Sequence, residues 1–148
     1  MDLSKTYHYF LIPGLGFNSE TFKKLQLPAV ASITYIDWIE PEGDEPLSNY
    51  ILRMAKGIDR NLPNKVFIGH SFGGVMVQEI AQLMETEKVF LISSIKSTKE
   101  MSWNIKLLRT LPIYKLVNHV LINSTFPVWA KMHDFHNQEE KEAFTAMV

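Results

Sequence analysis

FIGHSFGG, at residues 67–74, joins a short apolar run to a segment with helical spacing. Its Gly69, Ser71 and Gly73 match the pattern G-x-S-x-G, which between a strand and a helix predicts a serine at a sharp turn. Such a serine has a strained backbone, and side chains at positions 69 and 73 would collide. The pattern therefore predicts a nucleophilic Ser71 above the carboxyl edge of a sheet. The residues that support the turn are Gly69, His70, Gly73 and Gly74.

A second glycine-rich turn, PGLGF at 13–17, follows the first apolar run of the chain. It stands at the carboxyl end of a neighbouring strand, where a second backbone N–H is required to stabilise an oxyanion at Ser71. Leu15 is the predicted donor, with Gly16 as the alternative, and Phe72 at the start of the helix supplies the other N–H. A turn whose glycines serve only tight strand-to-helix geometry is the competing interpretation.

Strands and helices alternate along the first two thirds of the chain. Runs rich in β-branched, aromatic and aliphatic residues predict strands at 7–13, 33–39, 65–70 and 88–93. Segments with helical spacing predict helices at 19–25, 48–61 and 72–85. Because this alternation requires right-handed crossovers, and near-continuous apolar strands suit a sheet covered on both faces, the strands are expected to be parallel. The predicted fold class is α/β, a three-layer, mostly parallel sheet of about four strands with flanking helices.

The pattern changes after Ser94. Residues 95–135 are rich in aromatic and aliphatic side chains and are broken by Pro112 and Pro127, which predicts short kinked helices and no further strand. We divide the chain into the front half of a core at 1–94 and a helical, cap-like segment at 95–148. The last ten residues predict an amphipathic helix without a stop signal, so the chain is expected to be truncated at its C-terminus.

Composition excludes several classes of protein. The chain has no cysteine, which removes disulfide scaffolds, thiol catalysis and thiolate metal sites. A net charge of −1 gives no electrostatic case for nucleic acid or an anionic membrane. No run approaches the roughly 20 apolar residues that a membrane span needs, and no signal peptide is found, so a cytoplasmic location is the default expectation. His133 and His136, at positions i and i+3 with Asp134 between them, have side chains that can chelate zinc, but a short patch without further spaced ligands is weak evidence of a metal site. Neither metal nor cofactor is expected.

FIGHSFGG at 67–74 and LIPGLGF at 11–17, with the βαβ spacing between them, resemble the α/β-hydrolase fold of esterases, lipases and thioesterases. The resemblance implies that 7–94 is the front half of an incomplete core and that 95–135 is a cap. It also implies acyl-enzyme chemistry on a small ester or thioester, with Ser71 as nucleophile and the N–H groups of Leu15 and Phe72 as oxyanion hole. Candidates for the substrate pocket are Gly16, Trp103 and Trp129, although packing of the cap is the favoured explanation of the two tryptophans.

The resemblance further implies an acid and then a histidine after the serine. The loop at 94–97 contains no acid, and Glu100 is the nearest. The downstream histidines are His119, His133 and His136, all within the cap-like segment, and Asp134 lies beside two of them. Neighbours this close in sequence rarely place a base against a distant serine and an acid behind the base. The triad acid and histidine are therefore expected to be absent from this chain, which alone should be nearly inactive.

Two other functions compete with hydrolysis. One is a non-catalytic, hydrolase-like domain used for binding. The other is dinucleotide binding, since Gly14, Gly16 and Ser19 open a predicted helix and Asp37 follows about 20 residues later. That interpretation leaves GHSFGG unexplained. In an incomplete core of this kind the strand at 88–93 would form an exposed apolar sheet edge, which predicts a homo-oligomer or a swapped assembly unless residues 95–148 cover the edge.

Overall fold

The computed structural model describes residues 5–29, 31–100 and Glu142. Its strands are β1 (His8–Ile12), β2 (Ser32–Tyr35), β3 (Lys65–His70) and β4 (Lys88–Ile92). Its helices are α1 (Leu47–Met54) and α2 (Phe72–Ala81), and short 3-10 turns lie at Ser19–Phe22, Ala55–Gly57 and Thr98–Glu100. The chain divides into two compact units, Met1–Lys96 and Ser97–Val148, and the four strands and two helices belong to the first.

The four strands form one parallel sheet in the order β2-β1-β3-β4. The α/β class and the parallel four-stranded sheet predicted from the sequence are thereby confirmed. All four strands end at the same edge of the sheet. The chain moves from β1 to β2 in one direction and then returns past β1 to β3, so the order reverses between β1 and β3. In open α/β sheets ligands bind outside the carboxyl ends of the strands at this reversal.

Side chains alternate between the two faces of the sheet, as the pleat requires. On one face Phe10, Ile12 and Phe67 form a buried cluster with residues of α1 and α2, among them Ile51 and Met76. On the other face Leu11, Val66 and Ile68 pack with Phe22 of the first 3-10 turn. Within the described residues both α-helices therefore cover the same face, whereas the sequence predicts helices on both.

Several predicted boundaries differ from the observed ones. The strand predicted at 33–39 ends at Tyr35. The Ile36 N–H still donates to the Leu11 carbonyl at 2.9 Å, but after Ile36 the chain leaves β1. The helix predicted at 19–25 is a four-residue 3-10 turn, and the one predicted at 48–61 ends as α1 at Met54 before a second 3-10 turn. The segment predicted as a cap lies, beyond Glu100, outside the described residues.

β4 is an edge strand of the described sheet. It pairs with β3, and its Val89, Phe90 and Ile92 side chains are exposed. The apolar edge expected from the sequence is therefore present, while the oligomer expected to cover it stays a prediction. None of the helices that the structure describes has the length and apolarity of a membrane span.

Candidate active site

Ser71 lies at the sharp turn between β3 and α2. Its backbone has φ 52° and ψ −122°, a combination that side-chain-bearing residues rarely adopt, and its side chain is exposed. Two hydrogen bonds hold the turn: the Ser71 N–H donates to the Ile92 carbonyl at 2.9 Å, and the Gly74 N–H donates to the Ser71 carbonyl at 3.0 Å. The strained serine that the sequence predicts is thus found where the order of the sheet reverses.

A side chain at any of the three glycines of the turn would collide with neighbouring atoms. A Cβ on Gly69 would lie 2.5 Å from the Gly74 Cα and 2.6 Å from the Gly73 carbonyl carbon. A Cβ on Gly73 would lie 2.8 Å from the Ile12 carbonyl carbon, and closer still to the carbonyl oxygens at the end of β1. The crowding predicted between positions 69 and 73 is present, since a Cβ on Gly69 would meet the backbone of Gly73, and Gly73 is required in addition by the end of β1. A Cβ on Gly74 would likewise collide with the side chain of Ser94.

The loop after β1 lies beside Ser71. The Phe17 N–H donates to the Gly14 carbonyl at 2.9 Å, and Gly16 has φ 80°, which together indicate a type II turn. A Cβ on Gly14 would lie 3.3 Å from the Ser71 Cβ, so this turn approaches the serine directly. Leu15 and Gly16, the two predicted alternatives for the second oxyanion donor, are the central residues of the turn. Their N–H groups take no part in its closing hydrogen bond.

Phe72 is the first residue of α2. The first N–H groups of a helix have no acceptor within it and carry the positive end of its dipole, which favours an anion at this position. The Phe72 ring stacks on Trp38, with ring centroids 5.8 Å apart and an interplanar angle of 16°. The sequence interpretation missed Trp38. Trp38 lies beyond the end of β2 at Tyr35 but inside the strand predicted at 33–39, so no pattern in the sequence set it apart.

His70 supports the loop rather than the serine. Its ring meets the Phe17 ring edge-on at 6.0 Å, and its Nδ1 lies 3.1 Å from where a Cβ of Gly14 would stand. Among the described residues Nδ1 is buried without a hydrogen-bond partner. Burial lowers the pKa of the imidazole from its ordinary value of 6.5, because the charged form loses hydration. The fold therefore favours the neutral form of the ring.

The lowered pKa of His70 predicts a pH-dependent stability. The unfolded chain binds a proton at higher pH than the folded chain, so the free energy of unfolding should fall as the pH drops through 6.5 towards the lowered value. His70→Phe keeps a ring against Phe17 but cannot titrate, so its free energy of unfolding should fall less as the pH drops. Urea unfolding between pH 7.5 and 5 measures both proteins. Parallel curves for the two would contradict the assignment.

The other candidate residues are not brought to the site. Trp103, His119, Trp129, His133, Asp134 and His136 lie outside the described residues. Glu100 is exposed at the end of a 3-10 turn in the second unit, and no position relative to Ser71 is assigned to it. Within the described residues no group of three or more His, Asp or Glu side chains could hold a metal ion. A cavity of about 360 Å³ lies at the opposite edge of the sheet, beside Asn64 and Glu87.

Comparison of the chain with protein-family models, with curated proteins and with solved structures gives no match. The geometry around Ser71 is therefore the basis for assigning a function.

Proposed function

We propose that this chain carries the nucleophile and oxyanion hole of a serine hydrolase of the α/β-hydrolase fold. Its substrate class is a small ester or thioester, and Ser71 forms an acyl-enzyme. The backbone of Ser71 carries the proposal: an exposed serine at φ 52° and ψ −122°, between a parallel strand and a helix N-terminus. A strained conformation of this kind persists only where the surrounding structure imposes it, and such residues cluster at reactive sites.

The chemistry follows from the groups around Ser71. Ser71 Oγ attacks the acyl carbon, a new C–O bond forms, and the carbonyl electron pair moves to oxygen. The N–H groups of Phe72 and of Leu15 or Gly16 stabilise that oxyanion. Its collapse breaks the bond to the alkoxide or thiolate, which leaves with the proton that a base has taken from Ser71. Water then attacks the acyl-enzyme by the same steps, which release the acid and return a proton to Ser71 Oγ.

The Ser71 proton needs a base and an acid behind it. Among the described residues no hydrogen bond joins an imidazole to Ser71, and His70 faces Phe17. No described residue is assigned as the base or as its acid. Without them only residual catalysis, roughly 10³ to 10⁴ over water, is expected.

The geometry favours dinucleotide binding less. A pyrophosphate needs the N-terminus of a substantial helix after the glycine-rich turn. Here the turn leads into the four-residue 3-10 turn Ser19–Phe22, and the sharp turn at Ser71 would have no purpose.

The test is covalent labelling of the native full-length protein with a fluorophosphonate. We expect one adduct by intact mass, mapped to Ser71 by peptide sequencing, and no adduct on heat-denatured protein. Ser71→Ala should abolish labelling. Ser93→Ala is the matched control, because Ser93 also has a positive φ, of 48°, and follows the neighbouring strand β4. A folded protein that stays unlabelled, or an adduct on another serine, would overturn the proposal.

A further inference from the structure

Trp38 contacts both loops that are proposed to form the oxyanion hole. It lies after the end of β2, and its side chain is half-buried. Its indole Nε1–H donates a hydrogen bond to the Gly14 carbonyl at 2.9 Å, on the loop after β1. Its ring stacks at 5.8 Å on Phe72, the residue after Ser71. One side chain from a third strand thus joins the two loops that flank the serine.

Two hydrogen bonds to the Gly14 carbonyl orient the loop after β1. It accepts both the Phe17 N–H that closes the type II turn and the Trp38 indole N–H. The peptide groups of Leu15 and Gly16 lie within that turn, so their direction depends on how the Gly14 peptide is held. The close approach of Gly73 to Ile12 fixes the bases of the two loops. Trp38 acts further out, on the turn itself and on the Phe72 ring.

The segment that carries Trp38 has its own anchor. The Tyr50 hydroxyl on α1 donates to the Ile39 carbonyl at 2.7 Å and accepts from the Ile39 N–H at 3.3 Å. This anchor acts on the backbone of Ile39, next to Trp38, whereas the contacts of the Trp38 side chain are with Gly14 and Phe72. It therefore provides a way to loosen the segment while the Trp38 contacts are left in place.

We propose that Trp38 is a positioning residue that fixes the two oxyanion N–H groups relative to each other; this inference rests on the proposed hydrolase function. Oxyanion donors stabilise charge that develops only in the transition state, so a misplaced donor lowers kcat and leaves KM nearly unchanged. Loss of one donor costs 10²- to 10³-fold in typical enzymes, and a donor displaced by about 1 Å costs up to 10²-fold. We expect a loss of roughly 10- to 100-fold for Trp38→Phe.

The experiment compares three variants of the full-length protein. Trp38→Phe keeps a ring opposite Phe72 but removes the N–H donor. Phe72→Leu keeps the backbone N–H but removes the stacked ring. Tyr50→Phe removes only the hydrogen bonds between the Tyr50 hydroxyl and Ile39. For each, the rate constant of fluorophosphonate labelling is measured, together with kcat and KM for p-nitrophenyl butyrate well below the Tm. Trp38→Phe and Phe72→Leu should lower kcat and the labelling rate with KM within about twofold, since only the transition state is affected. Tyr50→Phe should stay within about threefold of wild type.

The outcomes separate the two proposals. If wild type is not labelled at Ser71, the proposed function fails and this inference falls with it. If wild type is labelled and Trp38→Phe and Phe72→Leu react at its rate, the positioning role alone is wrong. Equal losses in Tyr50→Phe and Trp38→Phe, or a rise in KM without a fall in kcat, would also overturn it. Should Trp38→Phe fail to fold, Phe72→Leu against Tyr50→Phe decides the question.

Discussion

Gly73→Ala is expected to destabilise the fold by about 3 kcal/mol or more. The new Cβ would stand 2.8 Å from the Ile12 carbonyl carbon and within the contact distance of the Ile12 and Pro13 carbonyl oxygens. These are backbone atoms at the end of a buried strand, so no side chain can rotate away to make room. Either α2 or β1 must move, and both belong to the same buried cluster. Chemical unfolding followed by circular dichroism measures the loss.

Two other glycines serve as graded controls. A Cβ on Gly57 meets no atom within 4 Å, so Gly57→Ala should be neutral or stabilise by less than about 1 kcal/mol. Gly16 also has open space but φ 80°, so Gly16→Ala should cost about 1–2 kcal/mol from backbone strain alone. If Gly73→Ala costs no more than Gly16→Ala, the close approach between α2 and β1 is wrong.

The sequence predicted the parts of the fold that are set by local pattern. β1, β3, β4 and the start of α2 coincide with apolar runs or with the G-x-S-x-G turn, and their bounds differ from prediction by one or two residues at most. The end of β2 was overestimated because Ile36 and Ile39 extend the run of apolar residues. Trp38 between them turns instead towards Gly14 and Phe72. The direction of the Trp38 side chain is set by its contacts with the loop after β1 and with α2. A local sequence pattern does not contain such contacts.

The same distinction applies to the candidate site. The strain at Ser71 and the need for glycine at 69 and 73 follow from the motif, but the motif does not show that a Cβ on Gly73 would also meet the backbone at the end of β1. That backbone lies about 60 residues earlier in the chain. Trp38 escaped prediction for the same reason, because its role exists only once β1, β2 and β3 are adjacent. Non-local contacts thus supply the part of the site that the sequence pattern could not.

Ser71→Gly should abolish labelling and at the same time stabilise the fold. A side chain at φ 52° and ψ −122° costs about 1–3 kcal/mol, and glycine is free of most of that cost. The added freedom of glycine in the unfolded chain removes about 0.5–1 kcal/mol of the gain. A net increase of about 1 kcal/mol in the free energy of unfolding is expected.

Ser71→Ala separates the hydroxyl from the strain. Alanine keeps the Cβ and therefore the strained backbone, and the Ser71 side chain makes no capping hydrogen bond to α2 that alanine would lose. Its stability should match that of wild type within about 0.5 kcal/mol, while its labelling is lost as completely as in Ser71→Gly. Stability is measured by urea unfolding of all three proteins at pH 7.5, above the ordinary pKa of His70.

If the glycine variant is no more stable than the alanine variant, no strain is stored at residue 71. The serine would then be an ordinary turn residue, and the main support for a nucleophile would be lost. If glycine alone raises stability, the fold holds Ser71 in an unfavourable conformation, as expected where reactivity rather than stability fixes the backbone.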